Sequence, residues 1–297
     1  MRDSDNNSNI DDPSTDGPGT DRTKYDWCVS GKVTPDALVG DTVIGRRDPN
    51  QRKIEWIEVV SLNTETGSVE WSYEPEADFA VLTGLTVDDG IYLTQNGVDA
   101  TGVVVLDMDG TKRWMVNTAV DYQRPRVAND TVYVTRGDGV VYAFDAASGD
   151  LRWENRPQDR RPGPTIVDVT DTVTVETIDT VIGLDPAAGT VRWEFDTGDQ
   201  GIRTTQVIDG TMYVVTDNRI AAVSEGAEQW STEFDTSVGS QTRIVGTTSD
   251  RVVVFPEITD REYQLQAFDV ATGELSWTSE VIQWTDQPSG LWFPTAA

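Results

Sequence analysis

Six times along the chain a glycine stands four residues ahead of a tryptophan, at Gly67 and Trp71, Gly110 and Trp114, Gly149 and Trp153, Gly189 and Trp193, Gly226 and Trp230, and Gly273 and Trp277. The tryptophans are 43, 39, 40, 37 and 47 residues apart, about 41 on average. So regular a period means one structural unit repeated, and about 40 to 45 residues is the length of a four-stranded propeller blade. A chain of 297 residues would otherwise suggest two domains. The repeat makes it a single ring instead.

The unit is clearest from Val140 to Trp153. Val140, Tyr142 and Phe144 alternate as in a half-buried strand, Asp145 to Gly149 carry turn chemistry, and a short return strand brings Trp153 back beside the first. Variants run from Leu62 to Trp71, Leu106 to Trp114, Leu184 to Trp193, Val223 to Trp230 and Phe268 to Trp277. An Asp at the strand end (Asp107, Asp145, Asp185, Asp269) can accept a hydrogen bond from the backbone two residues on. The glycine supplies the positive φ that a bulged hairpin needs. The fixed interval from glycine to tryptophan sets which face the indole occupies, because a one-residue slip would reverse it. Each indole is therefore expected to meet the same neighbour.

Ahead of each hairpin lie two further strands. Candidate first strands are Ala37 to Val39, Leu82 to Val87, Pro125 to Val127, Thr165 to Val167, Thr204 to Ile208 and Thr242 to Val245. Candidate second strands are Asp41 to Arg46, Gly90 to Thr94, Thr131 to Thr135, Thr172 to Glu176, Thr211 to Val215 and Arg251 to Phe255. The expected fold is all-β: a β-propeller of six four-stranded blades over residues 25–297, with twenty-four strands, no helical domain and one continuous core. Trp27 sits 44 residues before Trp71, and Gly290 to Pro294 reads as a further first strand. Either the termini share a partial seventh blade that clasps the ring, or six blades close it and these segments pack as extras.

Residues 1–24 hold almost nothing apolar and read as a disordered acidic tether. They contain no apolar run of signal-peptide or membrane-span length. Across the chain, 51 acidic residues face 23 basic ones, of which four are lysine, for a net charge of −28. Self-repulsion of that size destabilises a compact domain, and molar salt, with a screening length of about 3 Å, removes the penalty. Dispersed acids, scarce lysine and no histidine fit a protein from a salt-loving archaeon. A nucleic-acid partner is disfavoured for want of a basic stripe. Cys28 is the lone cysteine, so an internal disulfide or thiolate zinc site is excluded, as are histidine-based triads and metal ligands.

The hairpin resembles the pyrroloquinoline-quinone-type (PQQ-like) propeller repeat, roughly Ala-Leu-Asp-x-x-Thr-Gly-x-x-x-Trp. Ala267 to Trp277 matches almost throughout and Ala143 to Trp153 nearly as well. Met108-Asp109-Gly110 makes its turn one residue shorter, and Ser224-Glu225-Gly226 two shorter without the Asp. The resemblance implies the propeller fold and two kinds of function. One is a non-enzymatic scaffold such as the propeller lipoprotein of the bacterial outer-membrane assembly machine; the other is a quinone- and calcium-dependent dehydrogenase. With one cysteine the chain cannot make the adjacent-cysteine disulfide of the family's alcohol oxidisers. No inserted calcium-ligand loop is evident, and Asp107 to Gly110 lacks the later acidic positions of a calcium loop. No catalytic residue, cofactor or metal is therefore assigned.

Arginine has the one distribution that suggests a site. Arg124, Arg126, Arg160, Arg161, Arg203 and Arg243 fall 7 to 13 residues after a repeat tryptophan, in the loops that cross to the next blade. In a propeller these loops share one face, where converging guanidinium groups hold a carboxylate or phosphate bidentately. Simple pairing of each with a nearby Asp or Glu is the competing reading. The expectation is a monomeric, non-enzymatic, extracytoplasmic scaffold docking a protein partner or anionic ligand on this face. A ligand-sensing ectodomain of a larger surface system is the further alternative.

Overall fold

The computed structural model describes residues 32–48, 58–75, 81–97, 101–120, 123–157, 163–198, 200–233, 242–259 and 262–283. Six four-stranded antiparallel sheets follow one another along the chain. Blade one is β1 (Lys32–Val39), β2 (Thr42–Asp48), β3 (Glu58–Asn63) and β4 (Val69–Tyr73). Blade two is β5 (Val81–Val87), β6 (Ile91–Asn96), β7 (Gly102–Leu106) and β8 (Lys112–Asn117), and blade three is β9 (Arg126–Ala128), β10 (Thr131–Arg136), β11 (Val140–Asp145) and β12 (Leu151–Asn155). Blade four comprises β13 (Thr165–Val169), β14 (Val173–Glu176), β15 (Thr180–Leu184) and β16 (Val191–Asp196), and blade five β17 (Thr204–Ile208), β18 (Thr211–Val215), β19 (Arg219–Ser224) and β20 (Ala227–Glu233). Blade six starts with β21 (Arg243–Thr247) and β22 (Arg251–Phe255). It is then interrupted by β23 (Glu257–Thr259) and β24 (Glu262–Tyr263) before β25 (Gln266–Asp269) and β26 (Leu275–Thr278) complete it. A last strand, β27 (Ile282–Gln283), pairs with β24 to make a small three-stranded sheet that the repeat arithmetic did not foresee.

Every first and second strand expected from the sequence is present within a few residues. First strands of neighbouring blades touch, β1 with β5, β9 with β13, β13 with β17 and β17 with β21, as inner strands of a propeller do. The partial seventh blade, with Trp27 and Gly290 to Pro294, lies outside the described residues, as do Cys28 and residues 1–24.

Burial corrects one expectation. β11 is not half-buried; Val140 to Phe144 are all buried. Val140, Tyr142 and Phe144 face blade two, while Val141 and Ala143 face blade four. A middle strand sandwiched between two sheets needs an unbroken apolar run, and β7, Gly-Val-Val-Val-Leu, is the purest instance. Outer strands keep the polar alternation, as Glu194 and Asp196 do beside buried Phe195 in β16. Among the described residues the core falls into five clusters, each lying between consecutive blades, because the sheets themselves partition it.

The hairpins have the geometry their sequence asks for. Asp145 Oδ1 accepts the amides of Ala147 and Ser148 at 3.0 and 2.9 Å, and Asp185 and Asp269 do the same in their turns. The repeat glycines all have φ between 69° and 83°. A register shift, the bulge, precedes each tryptophan.

The indoles do not pack within their own blade alone. Trp71, Trp114, Trp153 and Trp230 each lie flat on the glycine turn of the following blade, so that a Cβ on Gly110, Gly149, Gly189 or Gly273 would come within 2.3 to 2.8 Å of a ring atom. Their Nε1–H groups donate to turn carbonyls, Met108 O at 3.1 Å, Ala146 O at 2.9 Å, Pro186 O at 2.8 Å and Val270 O at 2.8 Å. Glycine thus serves twice, giving the φ and leaving room for the ring. Two tryptophans depart from the rule. Trp277 is 46% exposed, since no described turn covers it. Trp193 meets the shortened turn of blade five at its Cβ, 2.9 Å from the position of a Cβ on Gly226, while its ring lies on Gly183 of its own blade, where a Cβ would come within 2.1 Å.

Candidate functional site

Strand direction alternates within a blade, so crossing loops and second-to-third loops end on one face, and the remaining turns end on the other. The first is the crossing-loop face, and it holds the arginines singled out in the sequence. Arg124, Arg126, Arg203 and Arg243 are all exposed there, on blades three, five and six. Arg160 and Arg161 lie outside the described residues.

Each of the four has its own partner. Arg124 reaches back to Asp36 of blade one at 3.2 Å, and Arg126 Nε donates to Ile166 O of blade four at 3.3 Å. Arg203 is bonded to Asp217, which raises its already high pKa. Arg243 lies 5.5 Å over the Phe255 ring, which stacks on Tyr263 of the added sheet with centroids 4.9 Å apart.

The most connected group on this face was not legible from spacing. Asp36 is the extra residue of a bulge in β1, which tips its side chain inward to complete burial. Its two oxygens take Arg46 Nε and Nη2, both at 2.9 Å, and Arg124 as well. Arg46 Nη1 continues to Thr83 O of blade two at 3.3 Å. One carboxylate therefore ties blades one, two and three together. Arg124 comes this far inward because its loop crosses Gly84, where a Cβ would stand 2.5 Å from Arg124 Cα. Burial raises the Glu176 carboxyl above its usual range.

The opposite, hairpin face carries a recurring ion pair. Arg113, Arg152 and Arg192 each immediately precede a repeat tryptophan and grip the Asp that starts the turn, at 2.8 Å to Asp107, 2.7 Å to Asp145 and 2.6 Å to Asp185. The hydrogen bond from Arg152, helped by the Ser148 amide, lowers Asp145 to a pKa of about 2. The signal was an arginine at the same position of three consecutive repeats. Asp107 and Asp109 are likewise occupied, the first with Arg113 and the second as acceptor for the Thr111 amide at 2.9 Å.

A cavity of about 440 Å³ opens on the hairpin face between blades four and five, over Trp193. Its walls include Thr172, Thr174, Arg192, Met212 and Glu225. Sequence reasoning noted the short turn here but not the space that it leaves.

Residues 57–195 and 178–290 match the family model described as outer membrane protein assembly factor BamB. The chain belongs to this family. The BamB of Burkholderia pseudomallei is 27% identical over 246 residues, covering 77% of this chain and 62% of that protein. The chain thus spans about three fifths of that relative's length. The crystal structure of BamB from Moraxella catarrhalis superposes with a TM-score of 0.60 at 20% identity, covering 85% of this chain and 76% of that one. A computationally designed protein, Ika8, gives 0.57 at 13% identity, with 86% and 89% covered. At such identities these two likenesses speak for the fold. Among the described residues no helix is long and apolar enough to cross a membrane, a statement that leaves β-barrel spans aside.

Proposed function

We propose that the protein is a non-enzymatic propeller that docks a protein partner on its crossing-loop face, outside the cytoplasm. The observation carrying this reading is membership of the BamB family across most of the chain, a family whose name is that of a factor in outer-membrane protein assembly. Arg126, Arg203 and Arg243 give that face exposed guanidinium groups pre-oriented by neighbours on the ring. Planar donors held in this way recognise carboxylates with little ordering cost. An acidic segment of a partner is the chemistry that suits them. The net charge of −28 keeps the rest of the surface hydrated in molar salt, where screening leaves only short, directional contacts effective.

The experiment places a photocrosslinking residue at position 124, on the crossing-loop face, and at position 147, on the hairpin face, in the producing cells. A discrete adduct from position 124, lost when Arg126→Glu and Arg203→Glu are combined without a change in thermal stability, is expected. Undiminished adduct in that double variant refutes the face. Oxidation of an alcohol or sugar dependent on added quinone and calcium, above a boiled control, refutes the non-enzymatic reading.

A further inference from the structure

Four blade junctions show what a repeat tryptophan is built to hold: a peptide turn that supplies one carbonyl to Nε1–H and a glycine to the ring face. The junction between blades four and five has the tryptophan but not the turn. Ser224 pairs directly with Ala227, so the loop is only Glu225 and Gly226, with φ of 49° and 76°, one residue shorter than the turn of blade two and two shorter than those of blades three, four and six. Positive φ at both positions is what a two-residue hairpin loop demands, so the short loop is a well-defined turn. The shortened loop comes against the Trp193 Cβ, and the indole itself is seated on Gly183 of its own blade, where a Cβ would stand 2.1 Å from Cε2 and 2.4 Å from Nε1. Among the described residues, Trp193 Nε1–H has no acceptor, and the place of the turn is taken by the 440 Å³ cavity. That volume falls in the range of about 300 to 1,000 Å³ typical of binding sites.

The rim adds a charge preference. Arg192 is spent, with its guanidinium on Asp185 Oδ2 at 2.6 Å and on Asp171 O at 2.6 Å. The carboxylates of Asp171 and Glu225, both exposed, make no ion pair among the described residues. Thr172 and Thr174 offer hydroxyls along one wall, and Met212 lines another.

We infer that this cavity is a receptor for a β-turn of another protein, one that carries a lysine or arginine. The turn's carbonyl accepts the Trp193 indole N–H, its glycine lies on the ring, and its basic side chain meets Asp171 and Glu225. The occupant is identified as a peptide turn because the tryptophans at the equivalent position of the four sister junctions hold peptide turns, and at this junction Gly183 lets the indole sit back against its own blade and leave that space open. The site lies on the face opposite the arginine loops and does not rest on the docking reading above.

The test uses the full chain with its tryptophan indoles labelled with nitrogen-15, and Trp193→Phe to assign the Trp193 signal. The probe is the acetylated peptide Leu-Asp-Pro-Lys-Ala-Gly-Thr, the blade-four turn with lysine in place of its first alanine. Added at millimolar concentration, it is expected to move the Trp193 indole proton downfield and leave Trp153, already bonded to Pro186 O, in place. Replacing Ser224 to Gly226 by the five-residue turn of blade three, Asp-Ala-Ala-Ser-Gly, fills the cavity from within. That variant is expected to show the downfield Trp193 proton without peptide and to bind the probe about tenfold more weakly. Glu225→Gln, which leaves the turn length unchanged, is expected to weaken the lysine peptide more than an alanine version of it. A Trp193 signal unmoved by the probe in a folded chain, or equal binding by the lengthened-turn variant or Glu225→Gln, overturns the proposal.

Discussion

The junction between blades three and four and the junction between blades four and five start from the same motif and end differently. At the first, Trp153 is 8% exposed, flat on Gly189 and bonded to Pro186 O. At the second, Trp193 is only partly buried, its N–H is unmet among the described residues, and a cavity stands above it. The strands, bulges and tryptophan register agree at both places. Two things differ: the length of one turn, and the residue opposite the indole, Ala143 for Trp153 but Gly183 for Trp193, where a Cβ would stand 2.1 Å from the ring. A propeller junction of this kind is sealed by the turn of the next blade, and the tryptophan is only half of the joint.

That comparison is broken most forcefully by removing the indoles. Trp153→Ala is expected to cost about 3 to 5 kcal/mol, as truncating a buried aromatic does. Trp193→Ala is expected to cost roughly half of that, and Trp277→Ala, at an exposed site, under about 1 kcal/mol. Denaturant unfolding in high salt gives the ranking, and equal losses at all three would dissolve the distinction. Next come the glycines. Gly189→Ala meets both the left-handed φ and the Trp153 ring 2.5 Å away, whereas Gly198→Ala meets only φ, having nothing within 4 Å. About 2 to 4 kcal/mol is expected for the first and about 1 to 2 for the second, from overpacking and chirality costs.

On the crossing-loop face, the two ends of one ion pair are expected to differ. Asp36→Ala strands the partly buried Arg46 guanidinium, for a loss of about 2 to 3 kcal/mol. Arg124→Ala, whose side chain is 58% exposed, is expected to cost under about 0.5 kcal/mol. The least effect comes from acid. Asp145 is lowered on folding from 3.8 to about 2, so its pairing with Arg152 favours the folded chain above pH about 4. That contribution fades as pH falls from about 4 to about 2. Asp145→Asn should flatten the acid limb of a thermal-stability profile across this window, and an unchanged limb would show that the turn's ion pair does not matter.

Much of the ring was readable from the chain because its repeat encodes geometry locally: Asp for the turn, Gly for φ, alternation for the strand. What escaped were features set by contact between blades. β11 reads as alternating, yet Val141 and Ala143 are small apolar residues whose burial shows only once blade four lies against them. Asp36 looks like one acid among 51 until the bulge in β1 turns it inward onto Arg46 and Arg124. The arginines of the crossing loops were legible as a distribution, but their partners, from Ile166 O to the Phe255 ring, come from other strands and other blades. β23 and β24 fall in an insertion within the last blade and β27 follows its final hairpin, where no repeat betrays them.

The seating of an indole on the next blade's glycine is tested most directly by a double-mutant cycle between Trp153→Leu and Gly189→Ala, followed by denaturant unfolding. If ring and glycine are in contact, adding the methyl group becomes cheaper once the ring is gone, by about 1 to 2 kcal/mol, leaving the cost seen at Gly198→Ala. An identical penalty for Gly189→Ala with and without the indole would contradict the joint on which this description of the ring depends.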